Sequence, residues 1–143
     1  MNILISACLL GINCRYDGGG CCREEIVALK KKHHLIPICP EILGGLSTPR
    51  LPIEIIKGKC VNERGADKTE AFVKGAEEAS KIAKLLDVEL AILKSNSPSC
   101  GYGKVYDGTF SRKLTNGNGI TAERLSAQGI QICNEHNFME VLE

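Results

Sequence analysis

The sequence lacks tryptophan and has few aromatic residues of any kind. Three Tyr and three Phe are the only aromatic side chains among 143 residues, whereas 43% of the residues are hydrophobic. Aliphatic side chains, from Ile, Leu, Val and Ala, must therefore fill the core. A chain of this length is expected to form one domain over residues 1–143 with a core of its own.

Long apolar runs and an excess of charge are also missing. No segment approaches the roughly 20 apolar residues of a membrane-spanning helix. The first residues, MNILISACLL, carry no basic segment, so we interpret them as a strand and not as an export signal. The formal net charge of +1 is far from the basic character of nucleic-acid-binding domains. These features predict a cytoplasmic protein without a membrane or nucleic-acid partner, and they do not indicate its oligomeric state.

Cysteine is abundant, but its usual short motifs are absent. The chain contains no CxxC pair, which excludes the usual thioredoxin and zinc-ribbon patterns. In a reducing compartment an even number of cysteines does not indicate disulfides. The thiols are therefore buried, catalytic, or metal ligands that are distant in sequence. The eight cysteines are Cys8, Cys14, Cys21, Cys22, Cys39, Cys60, Cys100 and Cys133.

Short apolar runs alternate with helical patterns along the chain, which is typical of the α/β class. This alternation predicts a parallel sheet with helices on both faces, in a Rossmann-like three-layer arrangement. Two further short apolar runs, separated by Lys57 and Gly58, predict a small β-hairpin insertion. The predicted strands are 2–7, 35–38, 89–94 and 130–133, the hairpin strands are 53–56 and 59–61, and the predicted helices are 22–33, 68–86, 121–128 and 135–142.

Two of the predicted helices carry a start signal. Asp67 and Glu70 have the spacing of a capping box at the start of the longest helix. Thr121 is the expected N-cap of helix 121–128.

Three cysteines follow three of the predicted core strands. Cys8, Cys39 and Cys100 each end a strand or lie in the loop after it. Loops at the carboxyl ends of parallel strands meet on one side of the sheet, where ligands bind. Three thiolates surrounded by backbone N–H donors suit an iron–sulfur cluster, in which a fourth ligand would complete the site. Three ligands would leave one iron open, as in a catalytic zinc site.

The other cysteines have simpler interpretations. Free cysteine is commonly a small buried hydrophobic residue, which is our interpretation of Cys133 in an apolar strand and of Cys60 in the hairpin. Cys21 and Cys22 adjoin a glycine run and are candidate metal ligands on a weak signal. The role of Cys14 stays open, with an incidental role favoured. One of the extra cysteines could also serve as a fourth cluster ligand, and the candidates are Cys14, Cys21, Cys22 and Cys60.

Five motifs occur in order along nearly the whole chain. They are SACLLG-x-x-x-RYDG (Ser6–Gly18), PICPE-x-x-GGL-x-x-PR (Pro37–Arg50), GADKTEAF-x-x-GA (Gly65–Ala76), K-x-x-SPSCGYG (Lys94–Gly103), and YDGTF with G-x-GITAE (Tyr106–Glu123). Together they resemble the family once called domain of unknown function 523, whose characterised members are TudS-like thiouracil desulfidases.

The resemblance implies a 4Fe-4S cluster held by Cys8, Cys39 and Cys100, with Glu41 and Ser97 as catalytic residues. It implies an iron–sulfur-dependent, non-redox desulfuration of a thiolated pyrimidine such as thiouracil, which gives uracil and sulfide. In this C–S bond-cleaving, hydrolase or lyase reaction, the substrate sulfur binds the open iron and stays on it when the C–S bond breaks. Before that bond breaks, Glu41 positions or deprotonates the water that attacks the carbon, and Ser97 hydrogen-bonds the base or the developing charge. The expected partner is a small thiolated base.

Simpler roles stay open for the polar residues. Glu41 could pair with Arg50, and Ser97 could shape a turn. The motif YDGTF is also a hairpin-turn signal. The candidates for shaping a substrate pocket are Asn13, Arg15, Tyr16, Asp17, Tyr106 and Asp107.

Three other functions compete with desulfuration. A cluster-containing sulfur carrier in tRNA thiolation needs ATP and a basic surface, but the chain has neither a P-loop nor excess positive charge. A non-enzymatic iron–sulfur sensor would hold a cluster without turning over thiouracil. A plain nucleotide-binding module would hold no cluster and would keep its binding in Cys8→Ser.

Overall fold

The structure, a computed structural model, describes residues 1–142. Its elements alternate between strands and helices, with short 3-10 helices at Ala7–Leu10 and Ala28–Lys31. In chain order they are β1 (Asn2–Ser6), α1 (Glu24–Val27), β2 (His34–Ile38), α2 (Pro40–Leu43), β3 (Ile53–Ile56), β4 (Lys59–Asn62), α3 (Thr69–Leu85), β5 (Leu90–Ile92), β6 (Lys104–Tyr106), β7 (Leu114–Asn116), α4 (Ile120–Ala127), β8 (Gln131–Cys133) and α5 (Phe138–Leu142).

The central sheet is parallel, with the strand order β2-β1-β5-β8. Its central strand β1 has Ile3, Leu4 and Ile5 completely buried, as expected of a strand covered on both faces. The predicted α/β class and parallel sheet are confirmed.

Helices cover both faces of the sheet. On one face Ile26 of α1 and Phe138 of α5 pack with Ile3 and Ile5. On the other face Ala79 and Ala83 of α3 pack with Leu4 and Ala91, beside α4. The small alanine side chains allow α3 to lie close to the sheet. This is the three-layer arrangement that the sequence predicts.

Two antiparallel hairpins form separate two-stranded sheets beside the central sheet. The predicted hairpin is present as β3 and β4, and it packs on α3 through Ile53, Cys60 and Phe72. A second hairpin, formed by β6 and β7, is not among the predicted strands. The YDGTF motif runs from the end of β6 into the connection between these two strands.

Several predicted boundaries and both helix-start signals are wrong. The helix expected at 22–33 is the short α1 followed by a 3-10 helix. At the start of α3, Asp67 Oδ1 accepts hydrogen bonds from the Thr69 N–H and hydroxyl, and no side chain caps the helix. At α4, Gly119 is the N-cap. Thr121 lies inside this helix, and its buried Oγ1 has no hydrogen-bond partner.

Helix α2 lies directly against α3 because a glycine on each side, Gly44 after α2 and Gly75 in α3, contacts the backbone of the opposite helix. A Cβ on Gly44 would lie 1.9 Å from the Ala71 carbonyl oxygen, and a Cβ on Gly75 would lie 1.9 Å from the Pro40 carbonyl oxygen. Neither position has room for a methyl group. This contact sets the position of α2, which begins directly after Cys39 and carries Glu41.

Among residues 1–142, no helix has both the length and the apolar character that crossing a membrane requires.

Candidate functional site

A cavity of about 440 Å³ opens beside the carboxyl ends of β1, β2 and β5. Its volume lies in the usual range for small-molecule sites, and its position is the one that parallel sheets use for ligands. Nine of the predicted site residues line it: Cys8, Arg15, Tyr16, Asp17, Cys39, Glu41, Ser97, Cys100 and Tyr106. Asn13 and Asp107 are not among the lining residues.

The three predicted cysteine ligands reach the cavity from three different strand ends. Cys8 lies in the 3-10 helix that follows β1. Cys39 is the residue between β2 and α2, where Pro40 starts the helix. Cys100 lies in the loop after β5, where the Gly101 N–H bonds the Ser97 carbonyl in a tight turn. The parallel sheet thus gathers three thiols that are far apart in sequence.

Burial and hydrogen bonds affect these thiols differently. Burial raises the pKa of Cys8 to about 11, although Lys94 opposes the shift. Burial also raises the pKa of Cys100 to about 12, against hydrogen bonds from Ser6 and Ser99. Without a cation in the cavity these two thiols therefore stay protonated at neutral pH. Metal binding at such thiols releases their protons.

Cys39 differs because a neighbouring thiol supports its charged form. The Cys14 thiol hydrogen-bonds to Cys39 and lowers its pKa, against the effect of burial, and the Ile42 N–H adds to the lowering. The Cys39 thiol also donates a hydrogen bond to the Cys14 carbonyl oxygen at 3.7 Å, a contact that favours its protonated form and opposes this lowering. Cys14 itself lines the cavity, and the hydrogen bond between the two thiols together with burial raises its own pKa.

The donor set fits an iron–sulfur cluster better than a single metal ion. Within residues 1–142, no three His, Cys, Asp or Glu side chains are arranged to hold one ion. A cluster carries its iron atoms at separate corners, and each cysteine binds a different iron. Three thiols spread around one cavity, two of them near hydrogen-bond donors, match this requirement.

The remaining cysteines lie outside the cavity. The Cys21 N–H donates to the Cys8 carbonyl, and Cys22 is exposed. Cys60 belongs to β4 and is completely buried where the β3–β4 hairpin packs on α3. Cys133 is buried in β8, where its thiol lies 3.6 Å from the Ala91 carbonyl.

Glu41 forms a buried ion pair with Arg50. Arg50 Nε lies 2.9 Å from Glu41 Oε1, and both side chains are nearly enclosed. The other carboxylate oxygen, Oε2, accepts the Ser99 hydroxyl proton at 3.0 Å. Both oxygens are thus held, and the carboxylate has a fixed orientation at the edge of the cavity. The pairing with Arg50 that the sequence left open is present.

Three side chains form a hydrogen-bonded chain toward Glu41. The hydroxyls of Ser97 and Ser99 lie 3.0 Å apart. When Ser99 donates its single proton to the Glu41 carboxylate, and not to the Cys100 sulfur 3.7 Å away, Ser97 is the donor in the contact between the two serines. Ser97 Oγ also accepts the N–H groups of Ser99 and Cys100. Ser97 therefore both shapes the turn and connects to Glu41.

A second buried carboxylate positions a lysine at the cavity. Glu135 is 4% exposed and lies 2.9 Å from Lys94 Nζ. It also accepts the Ser95 N–H and hydroxyl. Lys94 lines the cavity and is near enough to Cys8 to oppose the rise in its pKa.

Sequence reasoning missed several residues of the cavity wall. The sequence indicates Arg50 only as a partner of Glu41, and it indicates Ser99, Lys94 and Phe110 only as members of motifs. No pattern indicates Glu54 or Arg112 as site residues, because β3 is short and the β6–β7 hairpin is not predicted. All six residues line the cavity.

The two other predicted pocket residues with carboxylates serve local turns. Asp17 Oδ1 accepts the Gly19 N–H, although Asp17 also lines the cavity. Asp107 Oδ1 accepts the Thr109 hydroxyl and N–H, which lower the pKa of the exposed Asp107. The structure thus supports the turn interpretation of this part of YDGTF. Arg15 lies over the Tyr16 ring, 5.8 Å from its centroid.

Comparisons with known proteins agree with the motifs. A family model described as 2-thiouracil desulfurase matches residues 3–137. An uncharacterised Bacillus subtilis (strain 168) protein, YbbK, is 42% identical over 150 residues, which cover 98% of this chain and 99% of that protein. A solved structure of a [4Fe-4S]-dependent thiouracil desulfidase, TudS, superposes with a TM-score of 0.93 at 38% identity, over 99% of this chain and 95% of that one.

Proposed function

The chain belongs to the 2-thiouracil desulfurase family, as its motifs predict, and on that premise we propose that it is an iron–sulfur enzyme that desulfurates a thiolated pyrimidine. The reaction is hydrolytic and non-redox: C=S and water give C=O and H₂S, without an external electron donor. The observation that carries the proposal is the convergence of Cys8, Cys39 and Cys100 on the cavity that Glu41 also lines.

Cys8, Cys39 and Cys100 would hold a 4Fe-4S cluster. When bound by three cysteines, such a cluster supplies a thiophilic Lewis acid with one open coordination position. The chain prepares this site with thiols on three adjacent strand ends and with hydrogen-bond donors beside them, among them the Ser6 and Ser99 hydroxyls at Cys100. Lys94 places a positive charge near Cys8, where thiolate charge accumulates.

Glu41 acts as the general base. Its carboxylate is oriented by Arg50 and Ser99, so it can take a proton from water as the water attacks the thiocarbonyl carbon. When substrate is bound, Ser97 would turn its hydroxyl proton from Ser99 toward the base or the charge that develops on it. The chain from Ser97 through Ser99 to Glu41 links these two roles and provides a path for a proton between them.

The first experiment measures metal content and turnover together. The wild-type protein, purified and reconstituted without oxygen, is expected to contain about four iron and four acid-labile sulfide ions per chain. It should release uracil and sulfide in equal amounts from 2-thiouracil with no reductant present. Cys100→Ser should lose the cluster, whereas the matched control Cys133→Ser, at a buried thiol outside the cavity, should keep it. A zinc-loaded protein, or turnover that needs an electron donor, would contradict the proposal.

Glu41→Gln separates the enzyme from the competing functions. We expect kcat to fall by about 10²- to 10⁴-fold with the iron content unchanged. An iron–sulfur sensor would show the cluster without turnover, and the substitution would be silent. A sulfur carrier in thiolation would add sulfur to an acceptor in the presence of ATP instead of releasing it from thiouracil.

A further inference from the structure

Glu54 is a buried carboxylate that the proposed mechanism does not use. It lies in β3, is 7% exposed, and lines the cavity. Its Oε1 accepts two backbone N–H groups from the β6–β7 connection, Gly108 at 2.9 Å and Phe110 at 3.1 Å. Gly108 approaches β3 so closely that a Cβ there would lie 2.8 Å from Ile56 Cγ1. Glu54 therefore fastens this connection onto the first hairpin.

The second oxygen of the same carboxylate, Oε2, is not used by these contacts. In the part of the chain that the structure describes, Glu54 Oε2 takes part in no side-chain hydrogen bond or ion pair. Among those same residues, only one side-chain polar atom is both fully enclosed and without a partner, and that atom is Thr121 Oγ1. Glu54 Oε2, which also has no partner, is therefore not fully enclosed. Because Glu54 lines the cavity, we take Oε2 as the atom of this side chain that is free to bind a ligand there. A carboxylate oxygen can only accept hydrogen bonds, so it is suited to a donor on a ligand.

A thiolated pyrimidine has such a donor. In 2-thiouracil and 4-thiouracil a ring nitrogen next to the thiocarbonyl carbon carries a hydrogen. We propose that Glu54 Oε2 accepts this ring N–H and thereby selects cyclic thioamides that have a free N–H. The assignment rests on the proposed function, and it makes Glu54 a specificity-determining residue of the same cavity.

The fastened connection supports this role. Phe110 and Arg112 both line the cavity, and both have positive φ angles, 56° and 63°. Such angles are strained for non-glycine residues and persist only where surrounding contacts hold them. Glu54 supplies one of those contacts at Phe110. The carboxylate that would receive the base thus also holds in place the segment that brings Phe110 and Arg112 to it.

Glu54→Gln tests the assignment with little change in shape. The amide oxygen can still accept the N–H groups of Gly108 and Phe110, but the other position becomes an NH₂ donor that opposes a ring N–H. The control is Glu77→Gln, at an exposed carboxylate of α3 that is not among the lining residues of the cavity. The melting temperatures of the wild type and the two variants should coincide, which would show that the fold is intact.

The readout is binding of two products of the reaction class, uracil and 1,3-dimethyluracil, to the cluster-loaded protein by calorimetry. Uracil keeps both ring N–H groups and dimethyluracil has none. We expect Glu54→Gln to weaken uracil binding by about 10- to 100-fold and to leave dimethyluracil binding unchanged, while Glu77→Gln changes neither.

Equal loss for both ligands, or an unchanged affinity for uracil, would overturn the assignment. A wild-type protein that binds the two ligands equally would overturn it as well, even if Glu54→Gln failed to fold. Because binding needs no turnover, this result is separate from failure of the proposed function, which would appear as an absence of sulfide release from 2-thiouracil by the wild type.

Discussion

Arg50 joins the first turn of α2 to the loop after β1 through one guanidinium group. Its Nε lies 2.9 Å from Glu41 Oε1, directly after β2, and its second terminal nitrogen lies 3.1 Å from the Cys14 carbonyl, in the loop after β1. The first terminal nitrogen donates to the Ser47 carbonyl and the Thr48 hydroxyl. A buried ion pair of this kind contributes orientation more than stability.

Arg50→Lys should therefore damage the site although it keeps the charge. A lysine ammonium cannot reproduce the planar fork of a guanidinium, so several enclosed acceptors lose their donors. We expect the free energy of unfolding to fall by about 1–3 kcal/mol. Because Glu41 loses its fixed orientation, we also expect desulfuration to slow by about tenfold or more. Urea denaturation and kcat measure the two effects. The exposed Arg124→Lys is the control, and equal behaviour of the two variants would refute the argument.

Gly75→Ala should move the site from a distance. Its new methyl group would meet the Pro40 carbonyl, where there is no space, so α2 must shift away from α3. Overpacking of this kind costs about 1–3 kcal/mol, and the shift displaces Cys39 and Glu41. We expect lower stability together with reduced iron content and turnover. Lys74→Ala, at the neighbouring exposed position on α3, should behave like the wild type. Full cluster loading in Gly75→Ala would show that α2 is free to adjust.

The ion pair of Glu135 predicts a dependence of stability on pH. Burial raises the pKa of Glu135, but hydrogen bonds from Lys94 and the Ser95 N–H outweigh it and lower the pKa below the ordinary 4.5. A lowered pKa in the folded state means that the carboxylate stabilises the fold above about pH 4.5 and that this contribution is lost as the pH falls through the folded-state value.

Glu135→Gln removes this titration. We expect a loss of about 1.5–3 kcal/mol at pH 7, because Lys94 loses a charged partner, and a flatter decline in stability as the pH falls below about 4.5. Urea denaturation at a series of pH values measures both. Glu78→Gln, which removes a surface pair with Lys81, should change stability by less than about 1 kcal/mol. Parallel pH curves for wild type and Glu135→Gln would disprove the assignment.

Removal of the cluster should expose Cys39 as a reactive thiolate. The Cys14 thiol and the Ile42 N–H lower the pKa of Cys39, and thiolates are the nucleophilic form. In the cluster-free protein at neutral pH, iodoacetamide should label Cys39 in preference to Cys8 and Cys100, whose pKa values are raised. Mass spectrometry of tryptic peptides measures the labelling, with the exposed Cys22 as an internal reference.

Cys14→Ala provides the matching variant. It removes the donor to Cys39, so the ratio of Cys39 to Cys22 labelling should fall by about threefold or more. The same variant should still accept a full cluster if Cys14 supports a ligand and is not one itself. An iron content that falls to the level of Cys100→Ser would instead identify Cys14 as a fourth ligand.

The layers of the fold could be predicted because burial leaves a clear pattern. β1 is a continuous apolar run, and α3 repeats Phe72, Ala76, Ala79 and Ala83 on one face, all of which are buried. The second hairpin could not be predicted, because β6 and β7 have only three residues each and all three residues of β7 are exposed. The start signals failed because Asp67 bonds locally to Thr69 and because Gly119 precedes Thr121 as the cap.

The site was predictable only as far as topology and motifs reach. Cys8, Cys39 and Cys100 follow predicted strands, so their convergence on one cavity follows from a parallel sheet. The hydrogen-bonded chain through Ser99 and the position of Glu54 depend on how loops pack on each other, and no local pattern records that packing. The Glu54 side chain lines the cavity because β3 pairs with β4 and because the β6–β7 connection packs on β3. The contact between β3 and this connection joins residues that are far apart in sequence.

The three strands that precede the proposed cluster ligands are immediate neighbours, in the order β2, β1 and β5. The thiols therefore come together only after the sheet has formed, so cofactor loading follows folding and does not guide it. Once loaded, the site would tie three strands together and favour the folded state by mass action. The cellular lifetime of this protein should accordingly follow the supply of iron: chains made during iron starvation open more often and are degraded sooner.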